Sequence, residues 1–200
     1  MKIIAHRKNT LAELKATPLQ YGVEIDIRSF KDQLILQHEP YVEGELLADW
    51  LQAYKHGTLI LNVKEEGLEA RLIEMMRSYQ IDDYFFLDQS FPFLVKWANA
   101  GESHCAVRVS EFESIQTALT LAGKIDWVWV DCFNRLALQK EEAKALKEAG
   151  FKLCLVSPEL QGRRQPQDIA QIQAELKSRN IVIDAVCTKF PELWNKITNE

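Results

Sequence analysis

The sequence predicts an α/β fold, a (β/α)8 TIM barrel forming a single compact domain over residues 1–200. Three observations predict it: eight short β-rich runs recur along the chain, segments of helical periodicity lie between them, and 200 residues are enough for one buried core but not for two enzyme domains. A strand followed by a helix, repeated, favours parallel strands, because parallel neighbours need crossover connections. A closed barrel is the simplest architecture for eight such modules. A doubly wound open sheet alternates in the same way and is the structural alternative.

The runs are "KIIAH" from Lys2, "VEIDIRSF" from Val23, "TLILNVK" from Thr58, "DYFFLDQS" from Asp83, "HCAVRVS" from His104, "DWVWVDCF" from Asp126, "FKLCLVS" from Phe151 and "DAVCTKF" from Asp184. Between them, "GLEARLIEMMRSYQ" carries Leu68, Leu72, Met75 and Met76 on one side, and "QKEEAKALKEAG" ends at the helix-stopping Gly150. "QDIAQIQAELKSRN" repeats the pattern with Ile169, Ile172 and Leu176. "FKDQLILQHEP" breaks the rhythm. Its Lys31-Asp32-Gln33 reads as a turn, so the chain reverses after the second strand and returns as "LILQH", delivering His38 to the strand ends where His6 lies. No Pro/Gly/Ser linker or low-complexity tract divides the chain.

A net charge of −5 argues against a sequence-independent nucleic-acid binder, which needs a cationic surface. No apolar run approaches the ~20 residues that span a bilayer, and the first strand ends too soon for a signal-peptide core. A cytoplasmic protein without stable membrane association is expected. Cys105, Cys132, Cys154 and Cys187 are far apart in apolar contexts with no CxxC pair, and read as buried reduced thiols.

In a barrel, active groups gather at the carboxyl ends of the strands. His6 and Arg7 close the first strand, Glu24, Asp26 and Arg28 alternate along the second, and Asn62 and Lys64 along the third. Period 2 sets Val23, Ile25 and Ile27 against the outer helices and turns the acids inward. Two inward carboxylates need an adjacent positive charge, either a metal ion or Arg7, Arg28 and Lys64. Two histidines facing one another suit general acid and base work on an ester, and Arg7 with Lys64 would clamp a phosphoryl group.

Arg108, Asp131, Ser157, Glu159 and Lys189 end later strands, where they either bind a polar ligand, Arg108 and Lys189 as its cationic contacts, or form surface salt bridges. "PELQGRRQPQD", with Arg163 and Arg164, is a polar loop that could fold over a phosphate. His56, His104, Trp127 and Trp129 read as packing residues.

"IIAHR" with "NT" close behind, "GVEIDIRSFKDQLILQHEP", "LILNVK" and "DAVCTKFPELW" resemble, in order, the landmarks of glycerophosphodiester phosphodiesterases and their phosphatidylinositol phospholipase C-like relatives. Those landmarks are His-Arg-Gly, Glu-x-Asp, His-Asp, Glu-x-Lys and a late Thr-Asp. The resemblance covers almost the whole chain. It implies a (β/α)8 barrel in which His6 and His38 are the acid/base pair, Arg7 and Lys64 contact phosphate, and Glu24, Asp26 and Asn62 hold a divalent metal, Mg²⁺ or Ca²⁺. It implies hydrolysis of a phosphodiester to an alcohol and a phosphomonoester.

The sequence departs from the pattern at several points. Asn62 stands where the family has a carboxylate, Lys8 replaces the glycine, Glu39 follows His38 in place of Asp, and Lys189 takes the late Asp position. An amide oxygen still suits Mg²⁺ or Ca²⁺, with one negative charge fewer. The expected function is therefore hydrolysis of a small polar or sugar-linked phosphodiester. The competing readings are a noncatalytic phosphate-ligand binding protein and a barrel isomerase or lyase acting on a sugar phosphate.

Overall fold

The computed structural model describes residues 1–163 and 165–195 and forms two compact units, one of Ile4–Lys96, the other of Met1–Ile3 with the chain from Trp97 onward. Arg164, one of the loop cations singled out above, lies outside the described residues.

The first unit runs through β1 (Lys2–Ala5, shared between the units), α1 (Leu11–Ala16), β2 (Gly22–Phe30), β3 (Gln33–Leu36), β4 (Glu45–Leu46), α2 (Leu47–Ala53), β5 (Leu59–Val63), α3 (Glu69–Ser78), β6 (Tyr84–Leu87) and the start of α4 (Phe91–Asn99). β2 organises it. Its first residues pair in parallel with β1 (Ile4↔Gly22, Ala5↔Val23), its middle with β5 (Asp26↔Asn62), and its last with β3 in an antiparallel hairpin (Ile27↔Leu36). β5 continues to β6 in parallel, and the two-residue β4 adds an antiparallel edge to β3 that no hydrophobic pattern announces.

The expected reversal is present: Lys31 takes a φ of 58° in the turn between β2 and β3. α1 starts on a capping box, in which Thr10 Oγ1 accepts from the Glu13 N–H while Glu13 accepts from the Thr10 N–H. The apolar face of α3 buries Leu72, Ile73 and Met76.

The second unit runs through β7 (Ala106–Val109), α5 (Ile115–Leu119), β8 (Trp127–Val130), α6 (Lys140–Glu148), β9 (Lys152–Val156), a 3-10 turn at Pro158–Gln161, α7 (Pro166–Ser178), β10 (Ala185–Thr188) and α8 (Pro191–Trp194). Its strands pair in parallel, β7 to β8 to β9 to β10, and the Lys2 N–H donates to the Asp184 carbonyl at 2.7 Å. α7 buries Ile169, Ile172 and Leu176, the predicted stripe. Trp127, Trp129 and all four cysteines are buried, and the cysteines are unbridged. Each of the eight β-rich runs thus contains a strand, and the fold is mixed α/β with parallel strands joined through helices. Among the described residues no helix is long and apolar enough to cross a membrane.

Gly22 sets how closely β2 approaches its neighbours. A Cβ there would lie 2.4 Å from the Thr58 carbonyl oxygen, a backbone atom that cannot swing aside. Gly22→Ala is therefore expected to destabilise the protein by about 1–3 kcal/mol, measured as a lowered urea midpoint with an unchanged slope.

Candidate active site

The polar cluster of the first unit grows from the alternation of β2. Glu24 and Asp26 project to the same side, with 1% and 0% exposure, because the intervening Ile25 fills the opposite face. Two carboxylates so deeply buried must be met by donors and counter-charges, and the ends of β1 and β5 supply them.

The Arg7 N–H donates to Glu24 Oε2 at 2.7 Å, and Asn62 Nδ2 donates to Glu24 Oε1 at 2.8 Å. His6 Nε2 lies 3.7 Å from Glu24 Oε2. Arg7 Nε reaches Asp26 Oδ2 at 3.1 Å, and Lys64 Nζ lies 3.3 Å from Asp26 Oδ1 and 3.2 Å from Asp88 Oδ2. Arg7 holds φ at 51°, a left-handed conformation uncommon for a side-chain-bearing residue. That turn lets one residue present its N–H to Glu24 and its guanidinium to Asp26.

Sequence reasoning assigned no role to Asn9 or Asp88. Asn9 clamps Asp26 twice: its Nδ2 donates to Asp26 Oδ2 and its Oδ1 accepts from the Asp26 N–H, both at 2.9 Å. The signal for it was the Asn of the "NT" pair behind His6-Arg7. Asp88, at the end of β6 with φ 61°, left no readable signal. Arg28 was counted as counter-charge to the acids. Its Nε instead donates to the His38 carbonyl at 3.0 Å and its Nη1 to the Lys64 carbonyl at 3.1 Å, so it holds the backbones of two expected site residues.

His38 follows β3, where the Gln37 N–H donates to the Asp26 carbonyl at 3.0 Å. Its Nδ1 pairs with Glu39 Oε1 at 2.6 Å, so the carboxylate that replaces the family's Asp contacts the imidazole. His56 and His104 are tied to Thr17 and Glu102, as packing residues would be.

Arg108 and Lys189 belong to the second unit. The Arg108 Nη1 pairs with the fully buried Asp131 at 2.8 Å, and Lys189 is exposed, with its N–H donating to Glu159 at 2.9 Å. Glu159 also accepts from the Ser157 and Thr188 hydroxyls. Arg163 pairs with Asp168 at 3.7 Å.

A divalent cation can be tested against the donor set. Among the described residues no three His, Cys, Asp or Glu side chains converge as a ready-made metal cage. Yet Asn62 Oδ1 is a buried acceptor with no hydrogen-bond partner among the described residues, and Asp26 Oδ1, on the facing strand position, makes no hydrogen bond there and has the Lys64 ammonium beside it at 3.3 Å. Together with Glu24 they form an oxygen-only set with two carboxylates, which fits Mg²⁺ or Ca²⁺ completed by water or substrate oxygens.

Burial, and then the adjacent Asp26, push the Glu24 carboxyl up to about 7, against the hydrogen bonds from Asn62 and Arg7 and the charge of Lys64. An acid whose folded pKa lies above its unfolded value stabilises the fold fully below the unfolded value, here 4.5, and loses that contribution as pH rises through about 7. Urea titrations from pH 4.5 to 8 are therefore expected to show a decline in stability that is shallower in Glu24→Gln by about 1 kcal/mol or more.

No protein-family model and no curated protein matches the sequence. Solved structures share its fold. A glycerophosphodiester phosphodiesterase from Agrobacterium tumefaciens str. C58 superposes with a TM-score of 0.68 at 14% identity, over 97% of this chain and 99% of that one. A glycerophosphoryl diester phosphodiesterase from Parabacteroides distasonis ATCC 8503 does so with a TM-score of 0.67 at 14% identity, over 99% of this chain and 86% of that one. The chain has the fold of the glycerophosphodiester phosphodiesterases.

Proposed function

We propose that this protein is a phosphoric diester hydrolase of the glycerophosphodiester phosphodiesterase type, acting on a small polar or sugar-linked phosphodiester. In this reading the eight βα modules form the (β/α)8 ring of that family. The observation that carries the proposal is the pairing of Arg7 and Lys64 with the buried carboxylates Glu24 and Asp26, beside His6, in a fold shared with such enzymes.

Arg7 and Lys64 bind the nonbridging phosphate oxygens. Their pairing with Asp26 holds both cations in place before the substrate arrives, so little reorganisation is needed as charge builds on those oxygens. His6 and His38 handle the protons, one taking a proton from the attacking hydroxyl and the other giving one to the leaving alkoxide oxygen. Glu24 beside His6 stabilises the imidazolium that proton uptake creates, and Glu39 does the same for His38. The attacking hydroxyl is that of water or a neighbouring hydroxyl of the substrate. Glu24, Asp26 and Asn62 would hold Mg²⁺ or Ca²⁺, which when bound supplies positive charge beside the phosphoryl group.

A noncatalytic phosphate-binding role is favoured by one feature, the neutral Asn62 where a third carboxylate would tighten cation binding. The two readings separate in one assay. The purified protein is incubated with glycerophosphodiesters, cyclic phosphates, sugar phosphodiesters and sugar phosphomonoesters, with Mg²⁺, with Ca²⁺ and with chelator, beside His6→Ala. Diester turnover is expected, slower by about 10²–10⁴-fold in His6→Ala and reduced by chelation. Binding without turnover under every condition supports the noncatalytic protein, and conversion of monoesters alone supports an isomerase or lyase.

A further inference from the structure

One lysine is shared by two carboxylates. Lys64, the residue after β5, places its Nζ 3.3 Å from Asp26 Oδ1 and 3.2 Å from Asp88 Oδ2. The two partners are unequally supplied. Asp26 is 0% exposed, and its other oxygen, Oδ2, already meets Asn9 Nδ2 and the Arg7 guanidinium. Asp88, just after β6, has a side chain 27% exposed and sits at a left-handed φ of 61°, which Asp tolerates better than most residues. The reaction above gives Asp88 no task.

The oxygen that Lys64 covers is one that a divalent cation needs. Asp26 Oδ1 is buried, and the ammonium lies against it. Mg²⁺ and Ca²⁺ take oxygen ligands at about 2.0–2.6 Å. An ammonium left beside that oxygen would therefore stand next to a second positive charge, in a site with little water to screen it. Lys64 must give up Asp26 Oδ1 for the oxygen to be used. A largely buried ammonium needs a carboxylate in exchange, and the Lys64 side chain is 15% exposed. Asp88 meets that need, because it already holds the same nitrogen. A cavity of about 330 Å³ lined by Lys64, Asp88, Glu65, Glu66 and Glu69 gives the ammonium room among acids on that side.

We propose that Asp88 is a positioning residue that takes over the Lys64 ammonium when a divalent cation binds at Asp26, and so sets how tightly the site holds that cation. The ammonium and the cation compete for Asp26 Oδ1, and Asp88 biases the competition toward the cation. Lys64 stays anchored in either state, by Asp26 and Asp88 together or by Asp88 alone. This takeover rests on the reading of Glu24, Asp26 and Asn62 as the cation site and adds what controls its occupancy.

Calorimetric titration with MgCl₂ and with CaCl₂, without substrate, tests it on the wild type, Asp88→Asn, Lys64→Met and the double variant. Asparagine keeps the size of Asp88 and tolerates the same left-handed backbone, and thermal midpoints establish that each variant is folded. Asp88→Asn is expected to bind the cation about 3-fold or more weaker, because the ammonium then holds Asp26 more firmly. Lys64→Met should bind it about 10-fold or more tighter. In the Lys64→Met background, Asp88→Asn should change the affinity by less than about 2-fold, since no ammonium is left to take over. An equal loss in both backgrounds means that Asp88 acts only through its own charge, and no loss in either means that it does not act; both overturn the proposal. A crystal structure of the wild type with Ca²⁺ reads the transfer without any substitution. Lys64 Nζ is expected on Asp88 and out of hydrogen-bonding reach of Asp26, and an ammonium that stays on Asp26 beside the bound ion overturns the takeover. If neither ion binds to the wild type or to Lys64→Met, the cation site itself falls, and the takeover with it.

Discussion

Two carboxylates on one side of a single buried strand constrain everything around them. Glu24 and Asp26 have almost no contact with solvent, and their mutual repulsion adds to the cost of burial. Removing one partner of such a buried charge network typically costs about 3–5 kcal/mol, because the remaining charge has nowhere to go. The neighbouring elements therefore bring donors to these two residues: Arg7 from the end of β1, Asn9 from the approach to α1, Asn62 from β5 and Lys64 just beyond it. In the proposed reading the functional surface is the outward side of this arrangement, where the cations that balance the acids also meet an anionic ligand.

The geometry depends on backbone features with little to do with hydrophobicity. Arg7 and Asp88 both take left-handed φ angles at strand ends, conformations that typically cost about 1–3 kcal/mol and persist only where surrounding contacts enforce them. At Arg7 the enforcing contacts are its bonds to Glu24 and Asp26, and Asp88 meets Lys64. Arg28 fastens the His38 and Lys64 carbonyls to one guanidinium, so two loops from different strands are fixed by one side chain.

Much of this was readable along the chain, because strand alternation is a local property. The spacing of Glu24, Ile25 and Asp26 placed both acids on one face, and the reversal at Lys31 followed from turn chemistry. Features that depend on distant segments meeting were not readable. Asn9 was marked only by its place in the "NT" pair, and its double bond to Asp26 exists only once β2 lies beside it. Glu69 resembles any first-turn helix acid, normally solvated, yet it is fully buried and accepts from Gln89, twenty residues on. Arg28 illustrates the converse: its charge suggested a partner for the acids, but a guanidinium can be satisfied as well by carbonyls, and sequence does not say which. β4, two residues long, is too short to carry a period.

The central claim is that the Glu24–Asp26 pair and its cations form a centre that breaks phosphodiesters. Phosphorus-31 NMR on glycerophosphodiesters incubated with the wild type and with Asp26→Asn, in Mg²⁺ and in Ca²⁺, measures it most directly. The account predicts that the wild type converts the diester signal into a phosphomonoester signal, and that the folded variant slows this by about two orders of magnitude or more. Conversion at equal rates by the two proteins, or no phosphomonoester from any diester, would contradict it.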